Sequence, residues 1–364
     1  MNCTILSTVG GVMEPSHNNT TADVLAYGNS HMNGRQQEER PQETHKKPLL
    51  RSIRGKLDRR RKSLRRAVLD GLAAREISYA FSAQSKAGQA LIRSIENMTG
   101  RPKLIRMAEG YETEVDLEGR DFWEVMQERY SIQLDIPESE LARIPKTGPV
   151  VVVANHPFGI LDGLLLGRLL SMARPDFKIM AHKIFHKAKD LQDIILPVSF
   201  DTTREALQTN LNTRRAALDF LGRGGCVGIF PGGTVSTSLK LFSQPMDPPW
   251  KTFTAKMIQR ADPQVVPVYF EGHNSRLFQI ASHVHPNLRV ALLIKEFEKW
   301  VGQNVTVRIG DPLPQDKIDS YRSDAKALMD YLREETYKLS PVPLDDIGYG
   351  YDFDGLAMPK DSGN

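Results

Sequence analysis

Asn155 and His156 stand at the end of the run Val150-Val151-Val152-Val153-Ala154, and Asp162 follows across the spacer Pro157-Phe158-Gly159-Ile160-Leu161. A hydrophobic strand that ends in a Pro/Gly turn and then an apolar helix puts these polar residues where α/β folds place ligands. His156 is the residue here whose unperturbed pKa, about 6.5, suits proton transfer near neutral pH. A carboxylate one turn away can hold its Nδ1–H, fix the tautomer and leave Nε2 to take a proton. The acid of a Ser-His-Asp triad has this orienting role, here without a protein nucleophile. General-base help of this kind is worth about 10²- to 10⁴-fold. The same residues have an equally simple structural use, with His156 capping the turn and Asp162 capping the helix.

Two further segments carry polar or glycine-rich chemistry at strand ends. In Gly228-Ile229-Phe230-Pro231-Gly232-Gly233-Thr234-Val235-Ser236 the paired glycines let backbone approach a ligand closely. Backbone N–H groups there could stabilise an oxyanion or bind a phosphate, although a Gly-Gly pair alone also marks many ordinary turns. No lysine follows at the spacing of a nucleotide phosphate loop. The third segment, Val265 to Gly272, reads as a buried strand running into the polar loop His273-Asn274-Ser275-Arg276.

Rival constellations are weaker. His182 and His186 would share a helix face, but no third metal ligand is evident, so no metal site is assigned. His283 and His285 read as surface residues near a strand start. Cys226 lies in an apolar strand and reads as a buried structural thiol. No Gly-x-Ser-x-Gly elbow occurs, which disfavours a serine hydrolase.

The elements that must position these residues alternate from Gly148 onward. Strands are expected at 150–154, 177–181, 194–200, 226–230, 264–270, 288–294 and 305–309, with helices at 160–172 and 203–221 and a terminal helix over 316–339. Upstream, a helix runs over about 88–98, and Asp121 with Glu124 resembles a capping box opening another at Phe122. The alternation predicts an α/β fold, a central mostly parallel or mixed sheet flanked by helices, with an N-terminal helical extension.

The 364 residues are 40% hydrophobic and 25% charged, with a formal net charge of +4, which suits a soluble globular protein. The two cysteines, Cys3 and Cys226, exclude a disulfide scaffold and suit a reducing compartment. Residues 1–45 read as a disordered leader without the order of a signal peptide. Residues 46–140 read as a basic amphipathic and helical membrane-associating region, 141–340 as the α/β domain and 341–364 as an acidic tail. Eleven basic residues crowd Lys46 to Arg66 against Asp58 alone, and Leu57, Leu64, Val68 and Leu72 would share one helix face. Such a helix favours anionic membranes at about 1 kcal/mol per basic residue; a solvated charged helix is the plainer reading. Nucleic acid is disfavoured, since no helix-turn-helix, zinc or RNA-reading signature accompanies the cluster. No stretch reaches the roughly 18 apolar residues of a spanning helix. The tail carries Asp345, Asp346, Asp352 and Asp354 and is expected to wrap loosely or stay mobile.

Taken in order, these segments resemble the glycerolipid acyltransferase superfamily, lysophosphatidate acyltransferase type. Its Asn-His-spacer-Asp block is matched by Asn155, His156 and Asp162. Its Phe-Pro-x-Gly-Thr block is matched by Phe230, Pro231, Gly233 and Thr234, and its Val-Pro-Val strand by Val266, Pro267 and Val268. Arg204 is the candidate for the arginine that meets the acceptor's head group. Two positions depart from the common pattern: five residues separate His156 from Asp162 where four are usual, and Gly232 replaces a Glu. The spacer His156-Pro157-Phe158-Gly159-Ile160-Leu161-Asp162-Gly163 and the stretch Asn274-Ser275-Arg276-Leu277-Phe278 resemble instead a bacterial branch that includes ornithine-lipid O-acyltransferases and haemolysin-like relatives.

The resemblance implies an O-acyltransferase moving an acyl group from acyl carrier protein or acyl-CoA to a lyso-lipid hydroxyl, with a lyso-aminolipid favoured over 1-acylglycerol-3-phosphate. It implies His156 as base, Asp162 as its orienting acid, and Asn155, Arg204, Phe230, Pro231, Gly232, Gly233 and Thr234 as substrate contacts. It implies no bound cofactor or metal, and a peripheral position on the cytoplasmic face of a bacterial inner membrane. A catalytically idle lipid-binding protein is the alternative of another class.

Overall fold

Four consecutive valines form a strand because β-branched chains lose little in extended backbone and, without polar partners, need burial on both faces. In the computed structural model, Val150–Ala154 is accordingly the middle strand of the sheet, and every one of its residues is buried. The structure describes residues 78–353 except 84, 184, 188, 200–202 and 345. The leader and the basic segment expected over 1–45 and 46–66 lie outside the described residues, as do Asp345 and Asp354 of the tail.

The strands are β1 Gln133–Asp135, β2 Val150–Ala154, β3 Phe177–His182, β4 Ile195–Val198, β5 Cys226–Ile229, β6 Thr237–Ser238, β7 Pro245–Met246, β8 Gln264–Phe270 and β9 Asn304–Ile309. Seven of them form one sheet in the order β1-β9-β8-β2-β5-β3-β4, and β6 and β7 form a separate hairpin. β2 pairs in parallel with both β5 and β8, and β3 and β4 continue the parallel run. β9 turns antiparallel to β8. The sheet is therefore mixed and flanked by helices, the α/β class expected from the alternation.

The helices are α1 Lys86–Met98, α2 Arg101–Ala108, α3 Phe122–Arg129, α4 Glu138–Leu141, α5 Ile160–Ala173, α6 Arg204–Gly222, α7 Phe253–Ala261, α8 Arg276–Val284, α9 Pro286–Trp300, α10 Gln315–Ser320 and α11 Ala325–Tyr337. Alternation along β2 divides the core into two layers. Val150 and Val152 face Trp123 of α3, Leu165 and Leu169 of α5 and Phe297 of α9. Val151 and Val153 face Ala217 of α6, Ile258 of α7 and Leu332 of α11. Trp123, Tyr130 and Ile132 belong to the first layer and β1 joins the sheet, so the described residues on either side of position 140 share one core.

Three local expectations differ. The stretch 288–294, read as a strand, lies inside α9; a short apolar run fits either state, and here Pro286 in the first turn and His285 as N-cap decide for helix. The single terminal helix over 316–339 is split into α10 and α11 because Asp324 caps a new start, accepting from the amides of Lys326 and Ala327. The described part of the tail is pinned: Arg333 donates to the carbonyls of Ile347 and Gly348, and Tyr351 N to Thr237 O. Asp121 does cap α3, accepting from Glu124 N at 2.9 Å.

Candidate active site

The site forms at the carboxyl ends of β2, β5 and β8, where three loops converge. Asn155 follows β2 directly. Its amide nitrogen donates to Phe270 O (2.9 Å) and its amide oxygen accepts from Phe270 N (2.7 Å), extending the pairing of β2 with β8 by one side chain. Both polar ends are thus occupied and the residue is buried, so Asn155 holds the strand end that carries His156. The substrate contact expected of Asn155 is not what this geometry offers.

His156 comes next and keeps 18% of its side chain exposed, whereas Asp162 is fully buried. Nδ1 of His156 lies 2.7 Å from Oδ2 of Asp162. The ring N–H is not aligned along that line, as is common for catalytic contacts before substrate binds. The same Oδ2 accepts from the amides of Phe158 and Gly159, each at 2.8 Å, so one carboxylate both caps α5 and faces the imidazole. The two readings of this pair in the sequence are therefore compatible. Burial pushes the Asp162 carboxyl above its usual range, and His156 with the two amides opposes that rise. Gly159, within the spacer, takes a φ of +100° and a ψ of −121°, a region only glycine enters without strain.

Phe230, at the end of β5, stacks on the His156 ring with centroids 4.5 Å apart and planes 22° from parallel. Gly233 takes a φ of +69°, and its amide closes a turn on Phe230 O at 3.1 Å. Pro231 O accepts from Lys251 N at 3.0 Å, which ties the loop to the start of α7. Ser236 N donates to His156 O at 2.7 Å, bringing the loops after β2 and β5 together.

Two residues that sequence reasoning missed organise this junction. Asp247 is fully buried; its Oδ1 accepts from His156 N (3.2 Å) and from the Ser236 hydroxyl, and its Oδ2 from Trp250 Nε1 (2.9 Å). A Cβ built on Gly232 would meet this carboxylate at 3.4 Å. The position where the resembling family carries a glutamate therefore has a carboxylate beside it, supplied by a residue fifteen positions later. Arg289 of α9 is buried among neutral partners, donating to the hydroxyls of Thr234 (2.9 Å) and Thr237 (2.6 Å) and to Val235 O (2.8 Å). Burial pushes its guanidinium down to about 9, which still leaves it charged at neutral pH. The signal was an arginine inside an apolar run, obscured by reading that run as a strand.

Arg204 is the first residue of α6, exposed, beyond the end of the edge strand β4. Three strand spacings separate β4 from β2, about 14 Å. It shares the sheet edge with His156 but is not brought against the other site residues. His182 ends β3 and stacks on Phe81, and His186 lies in a following short turn, so they do not share a helix face. His283 and His285 sit at the α8–α9 junction and not at a strand. Burial raises the Cys226 thiol to about 12, which leaves it inert.

Residues 108–345 match the model of a protein family described as Acyltransferase. The chain belongs to that family. This acyltransferase is 27% identical to a lyso-glycine lipid O-acyltransferase of Bacteroides thetaiotaomicron over 229 residues, 61% of this chain and 80% of that protein. It is 25% identical to a protein of the same name from Phocaeicola vulgatus, over 61% of this chain and 78% of that one. Among solved structures, the 1-acyl-sn-glycerophosphate (LPA) acyltransferase PlsC of Thermotoga maritima aligns with a TM-score of 0.39 and 17% identity, covering 77% of this chain and 98% of that one. No helix among the described residues of the acyltransferase is long and apolar enough to cross a membrane.

Proposed function

We propose that this acyltransferase esterifies the free hydroxyl of a lyso-aminolipid, using an acyl thioester as donor. The observation that carries the reading is the 2.7 Å contact between His156 Nδ1 and buried Asp162 at the end of the central strand. His156 Nε2 removes the proton of the acceptor hydroxyl as its oxygen attacks the thioester carbonyl. The tetrahedral intermediate then collapses, the C–S bond breaks, and the departing thiolate takes the proton back from the imidazolium. Asp162 stabilises the imidazolium during that interval. The Gly233 amide is committed to Phe230 O, and we assign the oxyanion to the neighbouring amides of Gly232 and Thr234. Arg289 holds Thr234 and adds a buried positive charge behind it.

The acceptor class rests on the bacterial relatives, named for lyso-glycine lipid. We further propose that the basic segment from Lys46 to Arg66 draws the chain to anionic bilayers on the cytoplasmic side, with acyl carrier protein or acyl-CoA as donor and Arg204 at the edge of the acceptor path. A mass-spectrometric competition tests the acceptor: one acyl thioester with equal lyso-glycine lipid, lyso-ornithine lipid and lysophosphatidate. Preferential O-acylation of either aminolipid is expected. Phosphatidate as the main product would overturn the acceptor assignment.

A further inference from the structure

The hairpin β6–β7 begins three residues after Thr234, so it is a direct continuation of the loop that faces His156. Its tip exposes Leu239, Leu241 and Phe242, the last with 78% of its surface open. Alongside runs α8. Ser238 N donates to Gln279 Oε1 (3.0 Å), His283 Nε2 lies 2.9 Å from Ser238 O, and Arg276 Nη1 reaches Ser243 O (3.3 Å). On α8, Leu277, Ile280 and Val284 recur at helical spacing and are all exposed, while Phe278 and Ala281 face the core. An amphipathic helix normally turns its apolar stripe inward; α8 carries a second one outward, next to an apolar hairpin tip.

The two segments themselves carry charge of one sign. Residues 232–246 contain Lys240 and no Asp or Glu; residues 272–295 contain Arg276, Arg289 and Lys295 and again no Asp or Glu. Arg289 is buried, which leaves Lys240 and Arg276 on the exposed surface beside the apolar side chains. The tail packs at the other end of α8, Tyr351 on His283 and Phe353 on Arg289, and brings the exposed Asp352 there. Around the hairpin tip and the start of α8, large exposed apolar groups flanked by Lys240 and Arg276 complement an anionic lipid surface: the apolar groups enter the acyl region and the cations meet phosphates.

We infer that the β6–β7 tip and the outer face of α8 form a membrane-docking surface that inserts into an anionic bilayer and holds the His156 loop over the lipid. The inference rests on the lipid acceptor proposed above, but its test does not need turnover. The surface differs from the basic segment at 46–66 in mechanism: charge attraction is screened by salt, and apolar insertion is not.

The full chain carrying Phe242→Trp would be mixed with vesicles of phosphatidylglycerol and phosphatidylcholine whose acyl chains carry bromine. Quenching of the new indole beyond the signal of the parent, retained at roughly 0.5 M salt, is the expected result; unchanged emission would overturn the proposal. Leu241→Asp/Phe242→Asp should lower vesicle affinity at that salt by at least about tenfold while preserving the unfolding midpoint and turnover on a short-chain lyso-lipid dissolved below its aggregation limit. Equal vesicle affinity for parent and variant would contradict it, as would a concentration-dependent dimer of the parent that the variant abolishes. Loss of turnover with docking intact would count against the acceptor reading and not against this surface.

Discussion

Asp162 gathers two amide donors and the close imidazole of His156 around one oxygen in a fully buried site, and that crowding separates its effect on catalysis from its effect on stability. Asn at this position keeps a carbonyl for the Phe158 and Gly159 amides but cannot carry the charge that steadies an imidazolium. Asp162→Asn is expected to lower turnover about 10²- to 10⁴-fold without unfolding the protein. Since burial raises the folded-state pKa of Asp162, the folded form binds the proton more tightly than the unfolded form. Wild type therefore loses stability relative to the Asn variant as pH rises from about 4 through the raised value, and the variant should melt at the same or a higher temperature at neutral pH. Melting curves of both proteins across that window check the sign; a variant that becomes progressively less stable than wild type with rising pH would refute it. Asp247→Asn should behave differently. Its amide would face donors on at least one side, with an expected cost of about 1–3 kcal/mol in chemical denaturation and reduced turnover through the His156 peptide. His156, Asp162 and the Phe230–Thr234 loop were legible from sequence because a short motif carries them. Asp247 and Arg289 were not, since they come from segments 91 and 133 positions beyond His156 and only the sheet order brings them near. Asn155 was legible as important but not in its use, which depends on the pairing of β2 with β8.

At the level of elements, strands were read well where both faces are buried and the run is rich in β-branched residues, as over 150–153 and 265–268, because such side chains favour extended backbone. α9 was misread for the related reason that a short apolar run is compatible with helix or strand until its caps are considered. α2, α7, α8 and the β6–β7 hairpin were passed over: they are short, and two-residue strands carry no period. Packing between elements is also invisible in a single chain of letters. Gly167 on α5 is such a case, since a Cβ there would meet the Trp123 indole of α3 at 2.2 Å. Trp123 is buried, so Gly167→Ala should lose about 1–3 kcal/mol to overpacking, more than the roughly 1 kcal/mol that alanine returns in a helix. A lower unfolding midpoint in thermal denaturation is the expected outcome; a rise would mean that α3 moves aside freely.

For the whole molecule, the parallel centre of the sheet turns three carboxyl-terminal loops toward one edge, and the antiparallel β9 closes the far side with β1. Described residues upstream of position 140, among them Ala108, Trp123 and Tyr130, complete the same core, which matches a family boundary that begins at residue 108. Deleting residues 46–66 should weaken binding to anionic vesicles at low salt while leaving turnover on a dispersed short-chain acceptor within about twofold; flotation at two salt concentrations reads the first and product counting the second. The proposed role of His156 is to move the proton in acyl transfer. It is tested most directly by giving wild type and His156→Ala the same acyl thioester and lyso-glycine lipid, then measuring released thiol and O-acylated product together. Equal amounts of thiol and ester are expected from wild type, and no ester above the uncatalysed background from a variant that melts as wild type does. Comparable ester formation by both proteins would contradict it.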